Sequence, residues 1–236
     1  MQIDHLVWVS PTLRQGCDEL FHLSGLEAAF GGVHATGGSH NAIISLTART
    51  YVEVLSIDPA QSVGATRDWL LPAQDRSGLA TFAIASSDLD AVLDAALGAG
   101  LRVSPPGLYS RRTPEGQLLR WRGAQVSGHA FGAAMPFFIE WLGGCHPSDA
   151  GAAADLSDVV VKSPYPSDFT RAARALGIEH LFRVEPGTFN GVSASIRTPI
   201  RTVVLPPIEP ELGELNFSHR PIGPDDPPGA SMGGEQ

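Results

Sequence analysis

Basic residues, cysteines and long apolar runs are all scarce in this chain of 236 residues, and each scarcity removes a class of function. The 16 Lys and Arg stand against 25 Asp and Glu, a formal charge of -9 that opposes adhesion to a phosphate backbone. Nucleic acid is therefore not an expected partner. Two cysteines, Cys17 and Cys145, are too few for a disulfide framework, and no C-x-x-C pair offers a structural zinc site. A reducing cytoplasm is the expected home. No stretch reaches the ~20 apolar residues of a membrane helix, and no basic start with an apolar run precedes the first strand, so neither spanning nor secretion is expected. Also missing are a Gly-x-Ser-x-Gly elbow, a Gly-Lys phosphate loop and a dinucleotide fingerprint, which leaves hydrolase, nucleotide-binding and Rossmann readings without local support.

What is present is 43% hydrophobic and only 17% charged, enough apolar matter for one large core or two modest ones. Ile3-Asp4-His5-Leu6-Val7-Trp8-Val9, closed by Ser10-Pro11, reads as a strand and turn. Leu13, Cys17, Leu20, Phe21 and Leu23 follow at three- and four-residue steps, an apolar helical stripe that Gly25 can end. The Gly31-Gly32 and Gly37-Gly38 pairs then mark a loop before two strands, over 41–46 and 50–57.

The pattern restarts after the turn-rich residues 73–78. A strand over 79–85 precedes Asp88, an N-cap candidate, and a helix carrying Leu89, Val92, Leu93, Ala96 and Leu97. Strands follow over 118–122 and 136–142. Leu13 laid on Leu89 superposes the two units at an offset of 76 residues, which puts Thr81 in the place of His5. A third, partial βαββ unit, expected to pack on the same domain, occupies 151–216, with strands over 156–162, 191–196 and 202–205. From 217 to 236 the chain is crowded with proline, glycine and acidic residues, a composition expected of a flexible tail. The repetition, in units of about 1–72 and 73–150, narrows the fold to α+β with curved, antiparallel-rich sheets and leaves a ferredoxin-like arrangement open.

Three ionisable residues interrupt apolar strands: His5, Glu53 in Tyr-Val-Glu-Val-Leu, and Glu140 in Phe-Phe-Ile-Glu-Trp. A carboxylate in such a strand either faces solvent or is buried at a cost that pairing or a metal must offset. One imidazole with one or two carboxylates is a donor set for a divalent iron, manganese, nickel or zinc ion rather than calcium.

These segments resemble the vicinal oxygen chelate superfamily, and within it the glyoxalase-like branch. The likeness runs through Ile3-Asp4-His5-Leu6-Val7, Gly31-Gly32-Val33-His34, Asn41-Ala42-Ile43-Ile44-Ser45-Leu46, Tyr51-Val52-Glu53-Val54-Leu55, Leu119-Arg120-Trp121-Arg122 and Pro136-Phe137-Phe138-Ile139-Glu140-Trp141, with Cys145-His146-Pro147-Ser148 after it. The resemblance implies paired βαβββ modules whose curved mixed sheets surround a U-shaped cleft, with metal ligands on the first and last strands of each module. Carried onto this chain, it makes His5, Glu53 and Glu140 the metal candidates and Glu53 and Glu140 the catalytic ones. Thr81 takes the fourth place and departs from the pattern, because a neutral threonine is a poor ligand for these metals.

Around that core, His34, Asn41 and His146 are candidate substrate contacts. Arg120 and Arg122 join them as a planar donor pair on the strand face opposite Trp121, suited to a carboxylate or phosphate. Cys145 has no evident activating partner. Three readings follow: a metal-dependent lyase or isomerase acting on a small oxygenated substrate, with a dioxygenase disfavoured by the single histidine among the ligand places; a metal-free protein that sequesters a small molecule, as resistance members of the superfamily do; or a ferredoxin-like structural or regulatory module with neither cleft metal nor small-molecule pocket. Many members dimerise, so a homodimer is one expected assembly, although two modules in one chain can complete a cleft internally.

Overall fold

The computed structural model describes residues 1–34 and 37–214; the expected tail over 217–236 lies outside the described residues. Two units of like topology come first. The first runs β1 (Gln2–Val9), α1 (Leu13–Ser24), β2 (Ala29–His34), β3 (Ser39–Leu46) and β4 (Thr50–Ile57). A short helix α2 (Ala65–Leu70) leads into the second, which runs β5 (Gly78–Ala85), α3 (Leu89–Gly98), the two-residue β6 (Arg102–Val103), β7 (Gly107–Arg112), β8 (Leu118–Ala124), the two-residue β9 (Val126–Ser127) and β10 (Phe137–Trp141). β6 and β9 pair only with each other.

The caps follow the expected chemistry. The Thr12 hydroxyl accepts from the Gln15 amide at 3.2 Å, and Gly25, at φ 74, donates its amide to Phe21 at 2.7 Å. Asp88 caps α3 by accepting from the Ala91 amide at 2.9 Å. The buried face of α1 is Gly16, Leu20 and Ser24, so Phe21 and Leu23, expected in its stripe, are exposed instead. β2 corrects a second expectation, since Gly31-Gly32 lies inside a strand rather than in a loop.

The eight long strands of these units form one sheet in the order β2-β3-β4-β1-β5-β10-β8-β7. β1 runs parallel to β4, and β10 runs parallel to β5; the two units meet where β1 and β5 pair antiparallel. The order is symmetric about that seam, so the result is a curved, nearly closed mixed sheet of two βαβββ modules. At the far edges β2 approaches β7. Gly32, at φ +138, makes that possible, because a Cβ there would lie 2.7 Å from the Arg112 carbonyl oxygen. Gly32→Val should therefore cost roughly 3 kcal/mol and lower the melting temperature by about 10 °C. Gly98→Ala, with nothing within 4 Å of the added carbon, should leave it unchanged or slightly raised in the same calorimetric scan.

The third unit, β11 (Asp155–Ser163), α4 (Pro166–Ala175), β12 (Arg183–Pro186), β13 (Gly191–Arg197) and β14 (Thr202–Leu205), makes a separate sheet in the order β12-β11-β13-β14. It shares the main core on the convex side. There Leu20 of α1, Leu89, Val92 and Leu93 of α3, and Phe169 of α4 pack with Leu6, Val52, Phe82 and Phe138 from the large sheet. Each such side chain contributes about 1.5–3 kcal/mol by leaving water. Alternation sends the residues between them to the concave face. One part of that face is filled by Val7, Val9, Leu55, Leu70, Ala73, Ile208 and Leu212. No helix among the described residues is long and apolar enough to cross a membrane.

Candidate functional site

The rest of the concave face is polar and aromatic. In the sheet, Tyr51 stands beside His5 and Glu53 beside Val7 on β4 and β1; Ala83 pairs with His5, and Thr81 with Val7, on β5. A register shift between Ile3 and His5 lets two successive residues serve the same site. The Asp4 carboxylate, only 1% exposed, accepts from His5 Nδ1 at 2.7 Å through Oδ1. Its Oδ2 accepts from the Trp141 indole at 2.8 Å and faces His146 Nε2 at 3.1 Å.

Glu53 is buried between two imidazoles. His5 Nε2 lies 3.7 Å from its Oε2 and His34 Nε2 lies 3.7 Å from its Oε1, both beyond hydrogen-bond range. Asn41 Nδ2 holds Oε1 at 2.5 Å, and Ser39 Oγ pins His34 at Nδ1, 2.8 Å away. Tyr51 stacks on His5 at 4.6 Å between ring centres, and Phe137 meets it edge-on at 5.4 Å. Burial lowers the proton affinity of His34, and the Arg111 charge adds to that against the pull of Glu53, so the ring is neutral near pH 7. Burial also raises the Tyr51 phenol well above its ordinary range, which keeps it protonated.

Of the residues expected at a site, His5, His34, Asn41, Glu53 and His146 do converge here. His146 also caps the short helical turn Pro147–Ala150, where its backbone amide donates to Asp149 at 2.7 Å. Glu140, Arg120 and Arg122 do not join them. Glu140 shares the convex face with Phe138, and its Oε2 accepts from Arg122 at 2.8 Å, while Arg122 also pairs with Asp90 of α3 at 2.6 Å. Arg120 is exposed. Because β1 and β5 correspond at an offset of 76, the pair Val7–Glu53 has its counterpart in Ala83–Phe137. Phe137, not Glu140, occupies the place of Glu53 in the second module. Asp4, Tyr51, Arg111 and Trp141 are site residues that sequence reasoning did not select.

Asp4 carries a prediction. Burial would raise its carboxyl, but hydrogen bonds from His146 and His5 outweigh that and hold it at about 2, below the ordinary 3.8. A depressed carboxyl stabilises the fold fully above pH 4 and loses that contribution as pH falls toward 2, here about 2 kcal/mol. Asp4→Asn should lose that much stability at pH 7 and show a correspondingly smaller drop between pH 7 and 2.5, read by urea unfolding.

Two βαβββ modules joined in one curved sheet, with a polar cluster on its concave face, define a vicinal oxygen chelate fold. The chain belongs to the glyoxalase-like domain family, whose model matches residues 3–177. No curated protein matches the chain by sequence. Among solved structures, a hypothetical protein from Staphylococcus aureus is similar at 14% identity and a TM-score of 0.60, covering 90% of this chain and 88% of that one. A 4-hydroxymandelate synthase variant from Streptomyces coelicolor is similar at 16% identity and a TM-score of 0.52, over 87% of this chain and 62% of its own. A methylmalonyl-CoA epimerase variant from the same organism, in complex with 2-nitronate-propionyl-CoA, matches 59% of this chain and 96% of its own, at 20% identity and a TM-score of 0.44.

Members of this superfamily commonly bind a divalent metal, so the donor set here has to be compared with that need. The four places on the first and last strands hold His5, Glu53, Thr81 and Phe137. Phenylalanine has no donor atom, and a neutral hydroxyl is a weak one. Among the described residues no group of three His, Cys, Asp or Glu is arranged to hold an ion. The residues do not fit the metal at those places.

Proposed function

We propose that this chain is an acid–base enzyme of the isomerase or lyase kind, working on a small oxygenated substrate without a resident metal. One observation carries the reading: a buried carboxylate, Glu53, fixed by Asn41 and flanked at 3.7 Å by two imidazole nitrogens that do not hydrogen-bond to it. In this reading Glu53 takes a proton from carbon next to a carbonyl, and the C–H electron pair moves to the carbonyl oxygen. Delivering a proton to the opposite face of that carbon, or to the former carbonyl carbon of a 2-hydroxy carbonyl substrate's enediol, gives an isomer; expelling a group from the next carbon gives a lyase product. His5 is the proton's next stop, since Asp4 holds its Nδ1 and stabilises the imidazolium. The neutral His34 and the protonated Tyr51 supply hydrogen-bonding groups that carry no charge.

A second reading, sequestration of a small molecule, is favoured by the row of partly exposed rings on the same face, Tyr109, Trp121 and Trp141. One experiment separates the two. Small 2-oxo acids, 2-hydroxy carbonyl compounds and thioesters that bind the protein are incubated with it in deuterium oxide, and exchange at carbon is followed by proton NMR. Exchange on a bound compound, lost in His5→Ala, is the expected result. Binding without exchange on any of them overturns the enzyme reading in favour of sequestration.

A further inference from the structure

Arg111 faces inward, unlike Arg120 and Arg122. Two residues from Tyr109 on β7, it shares that residue's face and pairs with Leu119 of β8, which puts it on the concave side with Trp121. It is 6% exposed, and its Nη1 donates to the Gly31 carbonyl across the closing edges of the sheet. Among the described residues no carboxylate lies within ion-pair range, 4.0 Å, of its guanidinium. The more exposed Arg122, Arg183 and Arg197 all have acidic partners. A buried cation without a counter-charge is costly, and a neutral carbonyl supplies none. Its charge reaches both His34 and Tyr51, which places it beside Glu53's neighbours.

Next to it lies a row of three aromatic rings. Tyr109 stacks on Trp121 at 5.9 Å and 21°, and Trp121 meets Trp141 at 5.5 Å with the planes tilted by 51°. Gly107 and Gly123 face each other beneath Tyr109, and a Cβ on either would strike its ring, at 2.4 Å from the hydroxyl oxygen and 3.1 Å from the ring edge. All three rings remain partly exposed. Thr81 Oγ1 and Asn41 Oδ1 are buried on the same face without hydrogen-bond partners, as expected of groups that await a ligand.

We propose that this site takes a monoanionic aromatic carboxylate, its carboxylate received by Arg111 and its ring laid on Tyr109 and Trp121, with the tilted Trp141 at its edge. A single charge is specified because Asp4 and Glu53 stand nearby and would repel a dianion. The guanidinium fork matches a carboxylate in two parallel hydrogen bonds, and stacking adds to affinity without demanding one particular ring. The proposal rests on the proton-transfer reading only in placing the ligand on the concave face, and binding is measured apart from turnover.

Three probes of nearly equal size decide it: phenylacetate, phenylacetamide and cyclohexylacetate, each titrated into the full chain by calorimetry and by the indole N–H signals in NMR. The acid should bind at least ten-fold more tightly than its amide, and than the saturated acid. In Arg111→Gln the preference for acid over amide should vanish while that for the aromatic ring persists; in Trp121→Leu the opposite should hold. If Arg111→Gln does not fold, the wild-type series and Trp121→Leu still decide. Equal binding of acid and amide by the wild type, or no binding of phenylacetate at millimolar concentration, overturns the proposal. The stated preferences together with no proton exchange would overturn the enzyme reading and leave this one standing.

Discussion

Glu53→Gln is expected to lower the rate of proton exchange by 10²–10⁴-fold, the range that a positioned general base contributes, while the protein remains folded. Glutamine keeps the shape of the side chain and an acceptor for Asn41 Nδ2, now 2.5 Å from Oε1, but it cannot take a proton. Glu140→Gln is the matched control, a second carboxylate in an apolar strand. It faces the convex side, where Arg122 holds it at 2.8 Å. Both partners of that pair are partly exposed, so solvent screening limits the loss to about 1 kcal/mol, and Arg122 retains Asp90. Exchange should be unchanged in this variant. Equal loss of exchange in the two would mean that the chemistry is not on the concave face.

That contrast shows where sequence reading succeeds and where it stops. A polar residue inside an apolar strand is visible without a structure, which is why His5, Glu53 and Glu140 stood out. The face it occupies is not visible, because alternation fixes only which residues share a side. Phe138 and Glu140 share one side, Phe137 and Trp141 the other, and only pairing with β5 and β8 says which is the site. The arginines behave alike: alternation puts Arg120 and Arg122 opposite Trp121, and the site lies on the Trp121 side with Arg111. Asp4 was hidden by the irregularity in β1, since strict alternation would turn it away from His5. Glycines misled for a different reason. Gly31 and Gly32 look like strand breakers, yet a Cβ at Gly31 would meet Asn41 Oδ1 at 2.4 Å, and Gly32 admits the β7 backbone. Their small size serves close approach within a strand, a role with no local signature. The module repeat itself is legible because each unit sets a strand before a helix with its own apolar stripe, beginning at Leu13 and at Leu89.

Thr81→His combined with Phe137→Glu is expected to turn the concave face into a metal site. The two substitutions place a histidine at the counterpart of His5 and a carboxylate at the counterpart of Glu53, so that four donors stand on the first and last strands of both modules. Without metal the variant should be less stable than the parent. The larger side chain at Thr81, 1% exposed, overpacks by about 1–3 kcal/mol, and loss of the Phe137 ring removes its edge contact with His5. Nickel or zinc at 100 times its dissociation constant should then restore about 2.7 kcal/mol. The check is a melting series with chelator and with metal, beside elemental analysis of the dialysed protein. The parent should melt at one temperature throughout, and the double variant should retain about one ion per chain. If the parent itself holds near-stoichiometric metal, and His5→Ala releases it, then His5 and Glu53 suffice with other partners, and proton transfer at Glu53 would have to be read as chemistry beside an ion.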